Sequence, residues 1–251
     1  MKLQTLLSTR RQTWRRAHEQ LDLTLGRQYS LYHDDAAVEA AHVRGILQMF
    51  LFAPDEKGHV DTFLTMCNFP SDAHVLDCGC GTGDMASLIR HQRPDVRLTL
   101  LNTSMAQLRC CGTHTLVAGD MHALPVPAAS FDAMMLCYAL GYGAIDLVLS
   151  EAARVLKPSG TLVVTDMVAE YGNAEAILLL LGYKCYTCSR LLNSAHRHGL
   201  FVCHESAVPI LHPMVSSLWP EEDYQELFRD IVPKMIIFTR GESYATMPRQ
   251  N

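Results

Sequence analysis

The residues best suited to chemistry fall in one run, Asp77-Cys78-Gly79-Cys80-Gly81-Thr82-Gly83-Asp84. Glycines at alternate positions let the backbone turn tightly and bring N–H groups against a ligand, because no Cβ stands in the way. The spacing is G-x-G-x-G. It differs from the G-x-G-x-x-G that cradles a dinucleotide pyrophosphate, and no Lys-Ser/Thr pair ends it as in a P-loop. Asp77 is a poor neighbour for a polyphosphate. Its carboxylate suits a cationic group instead, such as an α-amine or a sulfonium-bearing amino acid.

Such a turn must be held between a strand and a helix, and the flanking residues supply both. Residues 74–78 read as a strand and 84–91 as a helix. Further strands at 96–101, 115–118, 131–138 and 160–167 are interleaved with helices at 104–111 and 144–156. That alternation is the pattern of a mostly parallel sheet covered on both faces. Two late runs, 201–210 and 234–239, suit a terminal antiparallel hairpin, with helices near 173–181 and 189–198. The first seventy residues read as helical: a basic amphipathic segment, a helix over 34–52, and another before Asn68. An aromatic loop, Tyr29-Ser30-Leu31-Tyr32-His33, separates the first two. The expectation is one compact domain overall, with residues 1–70 as an N-terminal helical cap or lid and 71–251 as the binding core.

With these residues the chain resembles the class I S-adenosylmethionine-dependent methyltransferases over roughly 73–168. Their first motif has this D-x-G-x-G-x-G form, and further signposts follow in order. These are Gly119-Asp120-Met121-His122-Ala123-Leu124-Pro125, Ser130-Phe131-Asp132, and Arg154-Val155-Leu156-Lys157-Pro158-Ser159-Gly160 in place of R-x-L-K-P-G-G. The resemblance implies an α/β fold with a doubly wound, mostly parallel, seven-stranded Rossmann-like sheet, and S-adenosyl-L-methionine as cofactor. It places Asp77 near the cofactor's ammonium group and Gly79, Cys80 and Gly81 against its methionyl part. Asp120 would accept from the adenine amino group, with Met121 on the ring, His122 beside it, and Cys137 as a further cofactor contact.

One departure narrows the family. Most members end the second strand with Asp or Glu for the ribose hydroxyls. Here the stretch is Leu100-Leu101-Asn102-Thr103-Ser104-Met105-Ala106-Gln107. Asn102 can donate and accept but carries no charge. The Ser104-x-x-Gln107 pair also fits a helix capping box, which needs no function. The stretch resembles the V-T-L-S-x-x-Q segment of sterol and prenyl-diphosphate C-methyltransferases and their cyclopropane-synthase relatives. That likeness puts Asn102, Thr103 and Gln107 beside the cofactor and implies C-methylation of an isoprenoid alkene through a carbocation.

Such a reaction benefits from aromatic faces around the developing charge and needs a proton acceptor. Tyr138 and Tyr142 follow the fourth core strand, at the sheet end where open α/β folds place substrates. Glu170 and Tyr171 follow the fifth and complete the catalytic candidates, while Tyr183 and Tyr186 extend the aromatic wall. Tyr29, Tyr32 and His33 could close over the site from the cap. Arg44, Lys184 and Arg190 are the cations available to an anionic acceptor, although each suits a solvated surface equally well. Two other readings stay open: a small-molecule O- or N-methyltransferase, and a catalytically silent, cofactor-binding regulatory subunit.

Composition sets the outer limits. The chain has 251 residues, 49% hydrophobic and 19% charged, with a formal charge of −5, a globular and mildly acidic balance. No nucleic-acid partner is expected of it. The basic residues concentrate early, as Lys2, Arg10, Arg11, Arg15 and Arg16 against Glu19. This leader suits solvent, an anionic small-molecule acceptor, or a subunit contact in a homo-oligomer. It mimics a mitochondrial transit peptide, but its apolar residues fit an ordinary amphipathic helix, and no stretch predicts membrane insertion. Nine cysteines, an odd number partly within apolar runs, read as reduced thiols of a cytoplasmic protein. Cys185-x-x-Cys188 followed by His196 and His198 departs from common zinc spacings, and no metal is expected.

Overall fold

The central strands are apolar on both faces, which only a sheet covered on both sides can bury. The computed structural model describes residues 50–170, 183–211 and 228–241. Its strands are β1 (Phe50–Leu51), β2 (His74–Cys78), β3 (Arg97–Asn102), β4 (Thr115–Ala118), β5 (Phe131–Cys137), β6 (Leu156–Ala169), β7 (Leu200–Ala207), β8 (Ile210–Leu211) and β9 (Ile231–Arg240). Its helices are α1 (Glu56–Cys67), α2 (Asp84–Gln92), α3 (Met105–Cys110), α4 (Ile145–Val155) and α5 (Cys188–Arg197).

Seven strands form one sheet in the order β4-β3-β2-β5-β6-β9-β7. The first five run parallel, and β9 inserts antiparallel between β6 and β7. Side chains alternate along each strand, so each face has its own core. On one face Val75, Ala133, Met135 and Val163 pack with Val60 and Phe63 of α1 and Ile89 of α2. On the other, Leu76, Met134, Leu162 and Phe238 pack with Val148, Leu149 and Ala152 of α4 and Leu191 of α5. The order reverses between β2 and β5, whose carboxyl ends open a crevice at the edge carrying Asp77 and Cys137.

The doubly wound sheet and its antiparallel terminal pair match expectation, with local differences. The run 201–210 does not continue as one strand. β7 stops at Ala207, and Ile210–Leu211 pairs with Phe50–Leu51 in a separate two-stranded sheet. Phe50 and Leu51 are therefore strand, not the end of the helix expected over 34–52; the rest of that helix lies outside the described residues, as does the helix expected over 173–181. The strand expected at 160–167 extends to Leu156–Ala169. Phe131 pairs with Leu156 but Ala133 with Thr161, so the intervening residues loop out, and Ser159 takes φ 62° where the family pattern has glycine.

Beyond β5 the chain turns sharply at Tyr138, whose φ of 51° is unusual for a bulky residue and turns the backbone back along the crevice. The turn is held by Tyr138 N–H donating to Thr165 O at 2.8 Å and by its hydroxyl donating to Phe50 O at 3.3 Å. A short 3₁₀ turn, Leu140–Tyr142, then leads into α4. At Gly141 a Cβ would lie 2.3 Å from the Tyr183 ring. Gly141→Ala should therefore cost about 1–3 kcal/mol by overpacking, read as a lowered urea midpoint. An unchanged midpoint would show that Tyr183 yields freely.

Candidate active site

The glycine run closes around a carboxylate. β2 delivers Asp77 into a fully buried position, 2% exposed, between β3 and β5. Gly79, Gly81 and Gly83 take φ of 81°, 57° and 80°, a conformation that side chains resist, and Gly83 caps the start of α2. At Gly79 a Cβ would also meet the Cβ of Ala139 at 2.6 Å. Gly79 and Cys80 N–H both donate to Leu101 O, at 2.8 and 3.1 Å, which pins the loop against the end of β3.

These elements surround a cavity of about 420 Å³, within the range for small-molecule sites. Every residue assigned to the cofactor from sequence lines it: Asp77 and the glycine loop, Asn102, Thr103 and Gln107, the Asp120–His122 loop, and Cys137. Three carboxylates line it, Asp77, Asp84 and Asp120. Burial pushes the Asp77 carboxyl up to about 7, and among the described residues no donor is hydrogen-bonded to it. Asp120 is the opposite case. Burial pulls it upward, but hydrogen bonds from the His122 backbone and ring outweigh that and hold it below the usual carboxylate range. His122 N–H and Nδ1 reach Asp120 Oδ1 at 2.9 and 2.6 Å. Asn102 Nδ2 donates to Gln107 Oε1 at 2.5 Å and to Gly81 O at 3.3 Å. Only half of the expected capping box forms. Ser104 Oγ accepts from Gln107 N–H, while the Gln107 side chain turns to Asn102.

The acceptor candidates divide. Tyr138 and Tyr142 line the same cavity. Tyr183 does not. It is buried behind Tyr142, the ring centroids 4.8 Å apart at 87°, and its hydroxyl donates to both Asp166 oxygens at 2.5 and 2.6 Å. Glu170 is exposed past β6, outside the cavity lining, with its N–H donating to Asp230 O. Arg190 pairs with Asp146, and Lys184 lies over the Tyr186 ring. Tyr29, Tyr32, His33, Arg44 and Tyr171 lie outside the described residues. All nine cysteines are free thiols, and among the described residues no group of three or more His, Cys, Asp or Glu gathers as a metal site. No described helix is long and apolar enough to cross a membrane.

Sequence reasoning missed Asp166 and Ala139. Asp166 sits in a β-branched strand, and only its partner Tyr183, seventeen residues on, shows why a carboxylate is buried there. Ala139 matters through its contact with Gly79, a pairing that no local pattern signals.

The donor set fits a ligand with a cation at one end and an amino-bearing ring at the other. Among the described residues Asp77 offers a buried carboxylate with no hydrogen-bonded donor, Asn102 lines the same cavity, and His122 engages Oδ1 of Asp120 and leaves Oδ2 without a described partner. The comparisons agree. A methyltransferase-domain family profile matches residues 76–164. The demethylmenaquinone methyltransferase of Thermotoga maritima is 33% identical over 99 residues, 38% of this chain and 43% of that protein. The malonyl-[acyl-carrier protein] O-methyltransferase of Dechloromonas aromatica is 31% identical over 99 residues, 38% of this chain and 36% of that protein. The chain thus spans less than half the length of these curated relatives. Among solved structures, geranyl diphosphate C-methyltransferase from Streptomyces coelicolor superposes with a TM-score of 0.65 at 17% identity, over 74% of this chain and 79% of that one. The [4+2]-cyclase SpnF gives 0.63 at 18%, over 74% and 81%. Residues 76–164 thus match a methyltransferase domain, and the solved methyltransferase structures share the fold of this chain.

The Asp77 carboxyl sits near 7 in the fold against about 3.9 in an unfolded chain, so the fold binds more protons between those values. The cofactor-free protein should lose up to about 4 kcal/mol of stability as pH rises through that window, with no further loss from this group above it. Asp77→Asn should remove this part of the slope and be the more stable protein at pH 8. Urea midpoints at pH 5 and pH 8 for both proteins measure it; equal slopes would show that Asp77 ionises freely.

Proposed function

We propose that this domain transfers the methyl group of S-adenosylmethionine to a carbon centre of a small acceptor of the isoprenoid or isoprenoid-quinone class. The observation carrying the choice is the wall beyond Cys137. It includes Tyr138 and Tyr142, and the described lining residues include Asp77, Asp84 and Asp120 but no Lys or Arg. Aromatic faces and carboxylates favour a neutral acceptor that gains positive charge, and disfavour one that arrives as an anion. That supports the C-methylation named for the ubiquinone/menaquinone biosynthesis relatives over the O-methylation named for the malonyl-[acyl-carrier protein] relatives. It also disfavours a diphosphate group within the described part of the cavity.

The cofactor, when bound, supplies an electrophilic methyl group on sulfur and leaves as a neutral thioether. The protein's own work is placement. Asp77 would hold the ammonium group, Asn102 would meet the ribose hydroxyls, and Asp120 would take the adenine amino group. Tyr142 and Tyr138 exclude water from one side of the reacting centre and turn their π faces toward the charge that develops there. The proton released from carbon passes to solvent, since Glu170, beyond β6, is exposed and outside the cavity lining.

A silent cofactor-binding role has one specific point in its favour: a solved structure of this fold is described as a cyclase, so the fold alone does not dictate methyl transfer. Labelled-methyl transfer from S-adenosylmethionine to demethylated isoprenoid quinols, prenyl diphosphates, malonyl thioesters, phenols and amines separates the readings. The expected label is on quinol or alkene carbon. Label confined to carboxylate, phenol oxygen or amine would refute carbon transfer, and cofactor binding without any transfer would favour the silent role. Tyr142→Ala should lower kcat/KM on the accepted substrate at least about tenfold while changing cofactor affinity less than about threefold.

A further inference from the structure

The ring of His122 joins two parts of the site that are separate in sequence. On one side its backbone N–H and Nδ1 both reach Oδ1 of Asp120, at 2.9 and 2.6 Å. On the other, its Nε2 lies 2.8 Å from the backbone N of Ala144. An amide N–H can only donate, so Nε2 must be bare and Nδ1 must carry the proton it gives to the carboxylate. That is a neutral imidazole in one defined tautomer.

Ala144 begins α4 and has no side-chain cap of its own. Its N–H is one of the unpaired donors of a helix start, and His122 satisfies it from a different loop. The next amide, Ile145 N–H, donates to Tyr186 Oη at 3.3 Å, and that hydroxyl in turn donates to Gly143 O at 2.7 Å. At Gly143 a Cβ would lie 3.0 Å from Met121 Sδ and 3.4 Å from His122 Nε2. The loop carrying Asp120 and the turn carrying Tyr142 are therefore in direct contact, with the imidazole as their polar link.

We propose that His122 is a positioning residue: by spending one Asp120 oxygen and pinning the start of α4, it aims the other oxygen at the cofactor's adenine and sets the Tyr142 turn at the same time. This goes beyond a simple cofactor contact by His122 and rests on the reading that the cavity binds the adenosyl group. Its consequence is that adenine selectivity depends on a residue whose ring is committed on both sides to protein. Because the same ring fixes the acceptor-side turn, the two halves of the site are built as one unit rather than as independent pockets.

Two measurements decide it. Nitrogen-15 NMR of the imidazole rings in the intact, cofactor-free protein at neutral pH should show His122 protonated on Nδ1 and bare on Nε2. A ring protonated on Nε2, or a charged ring, would overturn the bridge without any variant having to fold. Calorimetry with S-adenosylhomocysteine and its inosyl counterpart then tests the role. The inosyl base turns a carbonyl oxygen toward Asp120, so the wild type should prefer the adenosyl ligand. His122→Ala should lower that preference about tenfold. His122→Asn, whose amide can still donate to Asp120, should restore most of it while leaving Ala144 unsatisfied and the melting temperature lowered in both variants. A purely structural cap would weaken both ligands alike, and an unchanged ratio in His122→Ala would refute the proposal. Failure of the wild type to bind either ligand would instead sink the cofactor reading, whatever tautomer the ring adopts.

Discussion

Everything at the site follows from a buried carboxylate that no donor among the described residues engages. Taking an ion out of water costs several kcal/mol, so a group such as Asp77 either keeps a proton or waits for a cation. The fold does not relieve this. β2 fixes Asp77 between two parallel strands, and the glycine loop turns its N–H groups toward Leu101 O instead of toward the carboxylate. A site that leaves such a group uncompensated at the wall of a cavity is built to have the compensation delivered by a ligand.

Asp166 makes the contrast plain. Burial pushes its carboxyl up to about 7 as well, although hydrogen bonds from Tyr183, Met167 N–H and Leu140 N–H pull the other way. Its oxygens are fully engaged, and it lies outside the cavity lining. Two carboxylates with the same displacement thus have different meanings. Asp166 ties the Tyr138–Gly143 turn to β6 and to Tyr183, whereas Asp77 lines the cavity with no hydrogen-bonded donor among the described residues. Geometry, not the direction of the shift, tells them apart.

Much of this was legible in the sequence because the signals are local. Short apolar runs separated by helical stretches, a glycine turn with an acid before it, and Gly119-Asp120 before the next strand lie within a few residues of what they specify. The residues that line the cavity from β2, β3, β5 and the loop after β4 were readable for that reason. What escaped depends on long-range packing. Nothing near Asp166 announces Tyr183, nothing in 201–210 shows that its last residues pair with Phe50–Leu51, and the aromatic character of Tyr183 suggested a pocket wall when its hydroxyl is spent in the core. The capping box at Ser104 shows the same limit on a smaller scale, since Gln107 has a better partner in Asn102 than in the helix terminus.

The central claim, that Asp77 receives the cofactor's cation, has a direct thermodynamic signature. In the free protein at pH 6 the Asp77 carboxyl is mostly protonated, and pairing with an ammonium group must ionise it. Calorimetric titration of S-adenosylmethionine in two buffers of different ionisation enthalpy should therefore show release of roughly one proton per bound cofactor at pH 6, vanishing above pH 8. Asp77→Asn should lose that release together with most of the affinity. Tight binding with no proton released by the wild type, or binding that survives unchanged in Asp77→Asn, would contradict the account.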